Sequence, residues 1–170
     1  HQTQNVVCVD YNYYNWLRTL DTIFNENCVK IIPNYTSHAI SPKSLEEKIK
    51  RNSRKRIIFA RRFVDYRGTL LFAKVIKRLL SEGVDIDVTF AGSGPLEKTI
   101  ITMFEGFENV HFTSFSSDES IAFHEKYDIS VVPTIFSEGT SLSLIESMAA
   151  GCFPIATHVG GMTNIILDTS

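Results

Sequence analysis

Residues 56–91 read RIIFARRFVDYRGTLLFAKVIKRLLSEGVDIDVTFA, and this stretch decides the fold. Arg56–Ala60 is a short apolar run, the pattern of a strand buried on both faces. Leu70 to Leu80 then places Leu70, Leu71, Ala73, Val75, Ile76, Leu79 and Leu80 at helical spacing, and Gly83 closes the helix. Ile86–Ala91 is a second buried strand. A strand, a helix and a strand in one short span make a βαβ unit, whose two strands run parallel.

The alternation continues toward the C-terminus. Leu96–Phe104 reads as a helix, Val110–Phe112 as a strand, and Ser117–Tyr127 as a helix with Asp118 and Glu119 in its first turn, where the helix dipole favours acids. Ile129–Val132 is a strand, Ser141–Ala150 a helix ended by Gly151, and Phe153–Ala156 a strand. Toward the N-terminus, Val6–Val9 and Val29–Ile32 are brief β-like runs. A helical stretch through Trp16, Leu17, Leu20 and Ile23 lies between them, and Pro33-Asn34 makes a turn. Ser41-Pro42 opens another helix, with Ser at the N-cap and Pro in the first turn. The expected architecture is α/β: a Rossmann-like three-layer domain with a parallel sheet and helices on both faces.

Composition is that of an ordinary globular domain, with 44% hydrophobic and 21% charged residues. A net charge of -2 selects neither nucleic acid nor an anionic membrane. No apolar run approaches the roughly twenty residues that span a bilayer. Cys8, Cys28 and Cys152 are odd in number and lack C-x-x-C spacing, which argues against a disulfide framework or a zinc site and fits a reducing, cytoplasmic location. Ten of the seventeen basic residues fall between Lys43 and Arg67, against the acids Glu46, Glu47 and Asp65. Such a cluster is either a solvated face or, for members fixed beside a strand end, an anion site.

Function in a parallel α/β sheet collects at the carboxyl ends of the strands. After Arg56–Ala60, Arg62 and Arg67 span a loop from strand end to helix start. A phosphate there meets two guanidiniums and free amides; the alternative is a solvated basic loop. Gly92-Ser93-Gly94-Pro95 is a tight turn and not a dinucleotide fingerprint, since Glu97 stands where the third glycine belongs. Thr113 to Ser116 is a strand-to-helix turn. After Ile129–Val132, Glu138 sits in the loop and Glu146 two helical turns further on. Thr140 or Ser141 is expected to cap that helix, and Leu142, Ile145, Met148 and Ala149 to form its packed face. Glu146 beside Ile145 needs a hydroxyl, a cation or water if buried, and a ribose diol would serve; an exposed helix carboxylate is the alternative. No nucleophile–base pair and no metal cluster emerges among the histidines.

At these loops the chain resembles family 4 of the retaining glycosyltransferases. The likeness rests on Phe59 to Gly68, Gly92 to Pro95, Glu138 to Gly151 and Pro154 to Gly161, in that order, with Pro33-Asn34 ahead of them. It covers roughly residues 29 to 167. The resemblance implies a hexosyltransferase of the two-domain GT-B type, acting in polysaccharide or glycoconjugate biosynthesis. Residues 1–170 would form its single C-terminal, nucleotide-sugar-binding domain, with residues 1–28 an interdomain lead-in and the C-terminal end truncated. By resemblance, Arg62 and Arg67 hold the donor diphosphate, and Gly139, Thr140, Ser141 and Leu142 line it, with Ser141 and Leu142 offering backbone amides. Glu138 contacts the donor sugar, Glu146 the ribose, and Ser114 and Phe115 flank the base. No cofactor and no metal is expected. The acceptor, a glycan, lipid-linked sugar or small molecule, would be held by a missing N-terminal domain through which the protein also sits peripherally at a membrane. Alone, the 170 residues are expected to bind nucleotide weakly and to transfer nothing.

The sequence departs from the family at several points. Arg67 replaces the usual Lys, and Arg61 replaces a Gly, with bulk expected to narrow the pocket. Thr140 and Ser141 replace Phe and Gly, and Asn164 replaces Glu. A non-catalytic nucleotide-binding subunit and a nucleotide-sugar epimerase on the same plan are the competing readings. A receiver-like regulatory domain is a third reading, set aside because this sequence lacks an acidic pocket with a phosphoacceptor Asp at a strand end.

Overall fold

The computed structural model describes residues 5–20, 26–51 and 53–166. Its strands are β1 (Val6–Cys8), β2 (Val29–Ile31), β3 (Lys55–Ala60), β4 (Ile86–Ala91), β5 (Val110–Thr113), β6 (Ile129–Val132) and β7 (Phe153–Ala156). Its helices are α1 (Tyr11–Leu20), α2 (Pro42–Lys50), α3 (Thr69–Ser81), α4 (Glu97–Met103), α5 (Ser120–His124) and α6 (Leu142–Ala149).

Strands β3 to β7 form one parallel sheet in the order β5-β4-β3-β6-β7. The strand entered first lies in the middle. The chain walks outward to β5, then crosses back to β6 on the other side of β3. The loops leaving β3 and β6 therefore diverge and open a crevice at their carboxyl ends, the topological switch point of a doubly wound sheet.

Alternate residues of β3 bury opposite faces of the sheet. Ile57 and Phe59, with Val88 and Phe90 of β4, pack on Phe72, Ala73 and Ile76 of α3 and Ile100 of α4. Phe90 is the hub of this layer, stacked on Phe112 at 5.3 Å and edge-on to Phe72 at 5.2 Å. Ile58, Ala60 and Ala91 face the other way, against Phe115, Phe123 and Tyr127, and Val132 meets Leu144 of α6 and Met162. This is the expected three-layer arrangement, with α3 and α4 on one face and α5 and α6 on the other. At α2, the Ser44 amide donates to Ser41 Oγ at 3.1 Å, the expected N-cap.

Two local expectations are corrected. The helix expected over Ser117–Tyr127 is a 3-10 turn, Ser117–Glu119, followed by the single short helix α5. The helix through Trp16 is described over Tyr11–Leu20, as expected, and Ile23 lies outside the described residues. On α6 the buried residues are Leu144 and Ser147, while Leu142 and Met148 are 49% and 39% exposed. Residue size misleads there. The small Ser147, its hydroxyl returned to the Leu144 carbonyl at 2.9 Å, fits the sheet-facing side, and the bulkier side chains are displaced outward.

The N-terminal segment forms a separate parallel pair, β1 with β2. It is tied to the main sheet's loops: Asn12 Nδ2 donates to the Gly160 carbonyl at 2.5 Å, and Asn34 Nδ2 to the Thr140 carbonyl at 2.7 Å.

Candidate functional site

The switch-point crevice holds four polar side chains from two divergent loops. Arg61 follows directly on β3, and Thr134 and Glu138 lie in the loop after β6. Arg67 ends the 3-10 turn Asp65–Arg67 that leads into α3. Arg61 Nη2 donates to Glu138 Oε2 at 2.6 Å and Arg61 Nη1 to Thr134 Oγ1 at 3.0 Å. Thr134 Oγ1 in turn donates to Glu138 Oε2 at 2.8 Å, and Arg67 Nη1 bonds the same oxygen. The Arg61 and Glu138 side chains are only 6% and 9% exposed, against 28% for Arg67.

Burial by itself would raise the Glu138 pKa. The Arg61 charge and the hydrogen bonds from Thr134, Arg67 and Arg61 outweigh it, so the carboxyl stays below the ordinary glutamate value. Burial pulls the Arg61 guanidinium below the usual, strongly basic arginine value, against the opposing pull of Glu138. An arginine with such a starting value remains charged at neutral pH. Two guanidiniums thus share one carboxylate, and the cluster carries a net positive charge.

Glycines bring the loops this close. Gly68, at φ 76°, lies against Pro133 after β6: a Cβ there would sit 1.9 Å from the Pro133 carbonyl oxygen. Gly160, at φ 53°, packs against the Glu138 main chain in the same way, and the Gly161 amide donates to the Glu138 carbonyl at 2.8 Å. At Gly92 and Gly94 an added Cβ would strike the Arg61 and Phe63 carbonyl oxygens at 2.2 and 2.6 Å. That pair therefore packs loop against loop, in keeping with the turn read from the sequence.

Helix α6 starts beside this cluster. The expected cap is absent. Thr140 Oγ1 donates instead to the Val9 carbonyl, and the buried Ser141 Oγ has no hydrogen-bond partner. Ser143 Oγ donates to the Ala60 carbonyl at 3.1 Å, fixing the first turn of α6 to the end of β3. With Thr140 and Ser143 bonded to tertiary carbonyls and Ser141 making no cap bond, the first amides of α6 are left without a side-chain cap.

The other residues singled out in the sequence fall in two places. Glu146 is half-buried on α6 and accepts a hydrogen bond from Ser120 Oγ at 2.6 Å. Phe115 stacks on Phe123 at 4.5 Å and stands edge-on to His124, while Ser114 is exposed. Arg62 is exposed at the rim, and its carbonyl accepts from Val64. His158 is an exposed loop residue. Arg61, expected to add bulk, is instead the most buried cation of the cluster. Thr134 and Ser120 carry no distinctive sequence pattern, whereas Gly160 belongs to the Pro154 to Gly161 stretch on which the resemblance rests. The only local signal is that Arg61 and Thr134 each follow a buried strand.

A cavity of about 640 Å³ opens between the N-terminal pair and this loop, lined by Val9, Asp10, Tyr13, Trp16, Glu138 and Gly160 among others. Among the described residues no group of three or more His, Cys, Asp or Glu is arranged to hold a metal, and no helix is long and apolar enough to cross a membrane.

The family model described as "Glycosyl transferases group 1" matches residues 54–170. Protein CapJ of Staphylococcus aureus is 27% identical over 108 residues, which are 61% of this chain and 27% of that protein. The D-inositol 3-phosphate glycosyltransferase of Paenarthrobacter aurescens (strain TC1) is 28% identical over 128 residues, 66% of this chain and 29% of that protein. The chain spans less than a third of the length of these relatives. Anabaena HepE, solved with UDP and glucose, superposes with a TM-score of 0.74 at 12% identity, over 96% of this chain and 47% of that one, a likeness of fold.

Proposed function

The chain belongs to the group 1 glycosyl transferases, and on that premise we propose that it is the donor-binding half of a GT-B glycosyltransferase of the retaining family 4. It takes a nucleotide-diphosphate sugar and supports transfer of the sugar to a glycan, lipid-linked sugar or small-molecule acceptor held by another lobe. Residues 1–28 lead in from that lobe. The cytoplasmic face of a membrane fits such an acceptor.

The observation that carries this reading is the charge arrangement at the switch point. Arg61 and Arg67 converge on Glu138 beside the uncapped start of α6. Breaking a sugar–phosphate bond builds negative charge on the departing diphosphate, and preorganised cations and amides stabilise that charge. One charge pair at 4 Å is worth ~4 kcal/mol at an effective dielectric near 20, against up to ~2 kcal/mol for a helix end. The arginines therefore outweigh the helix end in holding the anion. Arg67, with Arg62 at the rim, takes the diphosphate, assisted by the amides of Ser141 and Leu142; Gly139 and Thr140 complete the wall. Glu138 faces the cavity and meets the donor sugar, whose reacting carbon develops oxocarbenium character. Glu146 accepts from the ribose hydroxyls, and Ser114 and Phe115 flank the base.

Titration calorimetry of the intact protein with UDP, GDP, ADP and their sugars tests this reading. UDP comes first, because HepE was solved with it. Arg62→Ala should weaken the diphosphate by roughly tenfold or more through lost charge-assisted bonds. Unchanged affinity would remove Arg62 from the site, and failure of every nucleotide to bind would overturn the reading.

A further inference from the structure

The ribose half of this site is built on two helices. Glu146 lies on α6 and Ser120 on the neighbouring α5. Ser120 is 4% exposed, and its hydroxyl donates to Glu146 Oε2 at 2.6 Å. A hydroxyl has one proton to give, and this one goes to the carboxylate. The imidazole behind it, His124, is fully buried. Its Nδ1 lies 2.7 Å from the Ser120 carbonyl oxygen and so carries its own proton, leaving Nε2 a buried nitrogen without a partner. Burial lowers the His124 pKa and keeps the ring neutral, so it does not compete with Glu146 for charge. The Phe115 and Phe123 rings stand edge-on to the same imidazole at 5.6 and 6.4 Å. Ser120 is therefore held through its carbonyl by the buried imidazole and gives its hydroxyl to the carboxylate. Among the described residues Ser120 is the hydrogen-bond partner of Glu146.

We propose that Ser120 is a positioning residue for nucleotide recognition: it holds Oε2 of Glu146 so that Oε1 is presented to the ribose hydroxyls. The proposal rests on the reading of Glu146 as the ribose acceptor. Its physical content is preorganisation. A glutamate side chain that is free to turn loses rotamer freedom when it binds, and one already pinned by a buried hydroxyl does not. The same short helix carries Phe123 and His124, against which Phe115 rests. Helix α5 thus sets the ribose acceptor and the base-flanking ring relative to one another.

The test is a cycle between the residue and the ribose. The intact protein and its Ser120→Ala, Ser120→Cys, Ser120→Thr and Glu146→Gln variants are titrated with UDP and with 2′,3′-dideoxy-UDP; the ADP and GDP pairs replace these if UDP does not bind. Ser120→Ala and Ser120→Cys should bind UDP about five- to tenfold more weakly, the scale of immobilising one rotamer-rich side chain on binding. Both should bind the dideoxy nucleotide as the parent does, and Ser120→Thr should restore the difference. An equal loss for both nucleotides would make Ser120 merely structural and overturn the proposal. Unchanged UDP affinity in the Ala and Cys variants, with discrimination lost in Glu146→Gln, would overturn it and leave the ribose reading standing. Discrimination retained in Glu146→Gln would remove both.

Discussion

Removal of the Glu138 charge is the most informative perturbation of the site. In Glu138→Gln the side chain keeps its shape, but Arg61 and Arg67 lose their shared counter-charge. The Arg61 side chain is 6% exposed, so water does little to replace it. Leaving a buried charge unpaired costs about 3–5 kcal/mol. Thr134 still bonds Arg61 at 3.0 Å, and Arg67 is nearly a third exposed and screened, so about 3 kcal/mol is expected. Arg61→Met should cost less. Glu138 keeps Arg67 and Thr134, and the bonds from Arg61 to Glu138 and Thr134 are lost, for a net cost of about 1.5–3 kcal/mol once the desolvation the methionine avoids is set against them. Urea unfolding at pH 7 measures both, and the double variant closes the cycle. With neither charge present it should be more stable than Glu138→Gln alone, with a coupling of about 1.5–3 kcal/mol.

The same reasoning fixes a pH signature. The folded-state pKa of Glu138 is depressed, so its stabilisation is fully present above the unfolded value of about 4.3 and is lost as pH falls through the folded value. Wild type should lose its advantage over Glu138→Gln in that acid window. Nucleotide binding should move the other way. A diphosphate must compete with Glu138 for Arg67, so Glu138→Gln should bind UDP about fivefold more tightly, near 1 kcal/mol, while sugar transfer falls. Arg61→Met costing as much as Glu138→Gln, or a strictly additive cycle, would refute this account of the cluster.

Other outcomes follow from the structure. Asp128, bonded to Arg51 and to the Arg56 amide at 2.9 Å, should make Asp128→Asn less stable by about 1–2 kcal/mol at pH 7. Burial would raise its pKa, but these bonds outweigh burial and hold it low; the difference should vanish as pH falls below about 3.9 through the folded value. Gly160→Ala should cost about 1–3 kcal/mol and impair donor-sugar use, because the new Cβ meets the Glu138 main chain. Gly106→Ala, with open space around it, should be milder in unfolding and neutral in sugar use. In the folded protein at pH 8 an aromatic disulfide reagent should titrate Cys28 first. Cys8 and Cys152 are 2% and 5% exposed, burial pushes the Cys152 thiol up to about 11, and both should react only on unfolding.

The strands were the most legible part of this fold, for a physical reason. Ile86–Ala91, Ile129–Val132 and Phe153–Ala156 are apolar runs bounded by turns, a pattern that local sequence encodes fully. The face of α6 was not legible, because it depends on how closely the helix approaches the sheet. Counting large apolar residues selects Leu142 and Met148, whereas a close approach selects Ser147. Capping failed for a similar reason. Thr140 and Ser141 have the right chemistry for a helix end, but the Val9 carbonyl takes the Thr140 hydroxyl, and Ser141, at the N-cap itself, leaves its buried hydroxyl without a partner.

Arg61 shows what no local reading supplies. Beside a family pattern that expects glycine, an arginine looks like misplaced bulk. A guanidinium can be buried there only if a carboxylate arrives from elsewhere, and Glu138 lies far along the chain. It arrives because β6 returns to pair with β3, a fact of strand order that neither strand's own residues record. The pairing also alters how the site works. A crevice with unpaired arginines would bind a diphosphate with the sum of their attractions. This one carries its own counter-ion, so a diphosphate taken up as proposed would draw on the difference between itself and Glu138 as partners for Arg67. A diphosphate that took Arg67 would leave Glu138 still held by Arg61 and Thr134, so a sugar in the neighbouring cavity would meet a carboxylate already fixed in place.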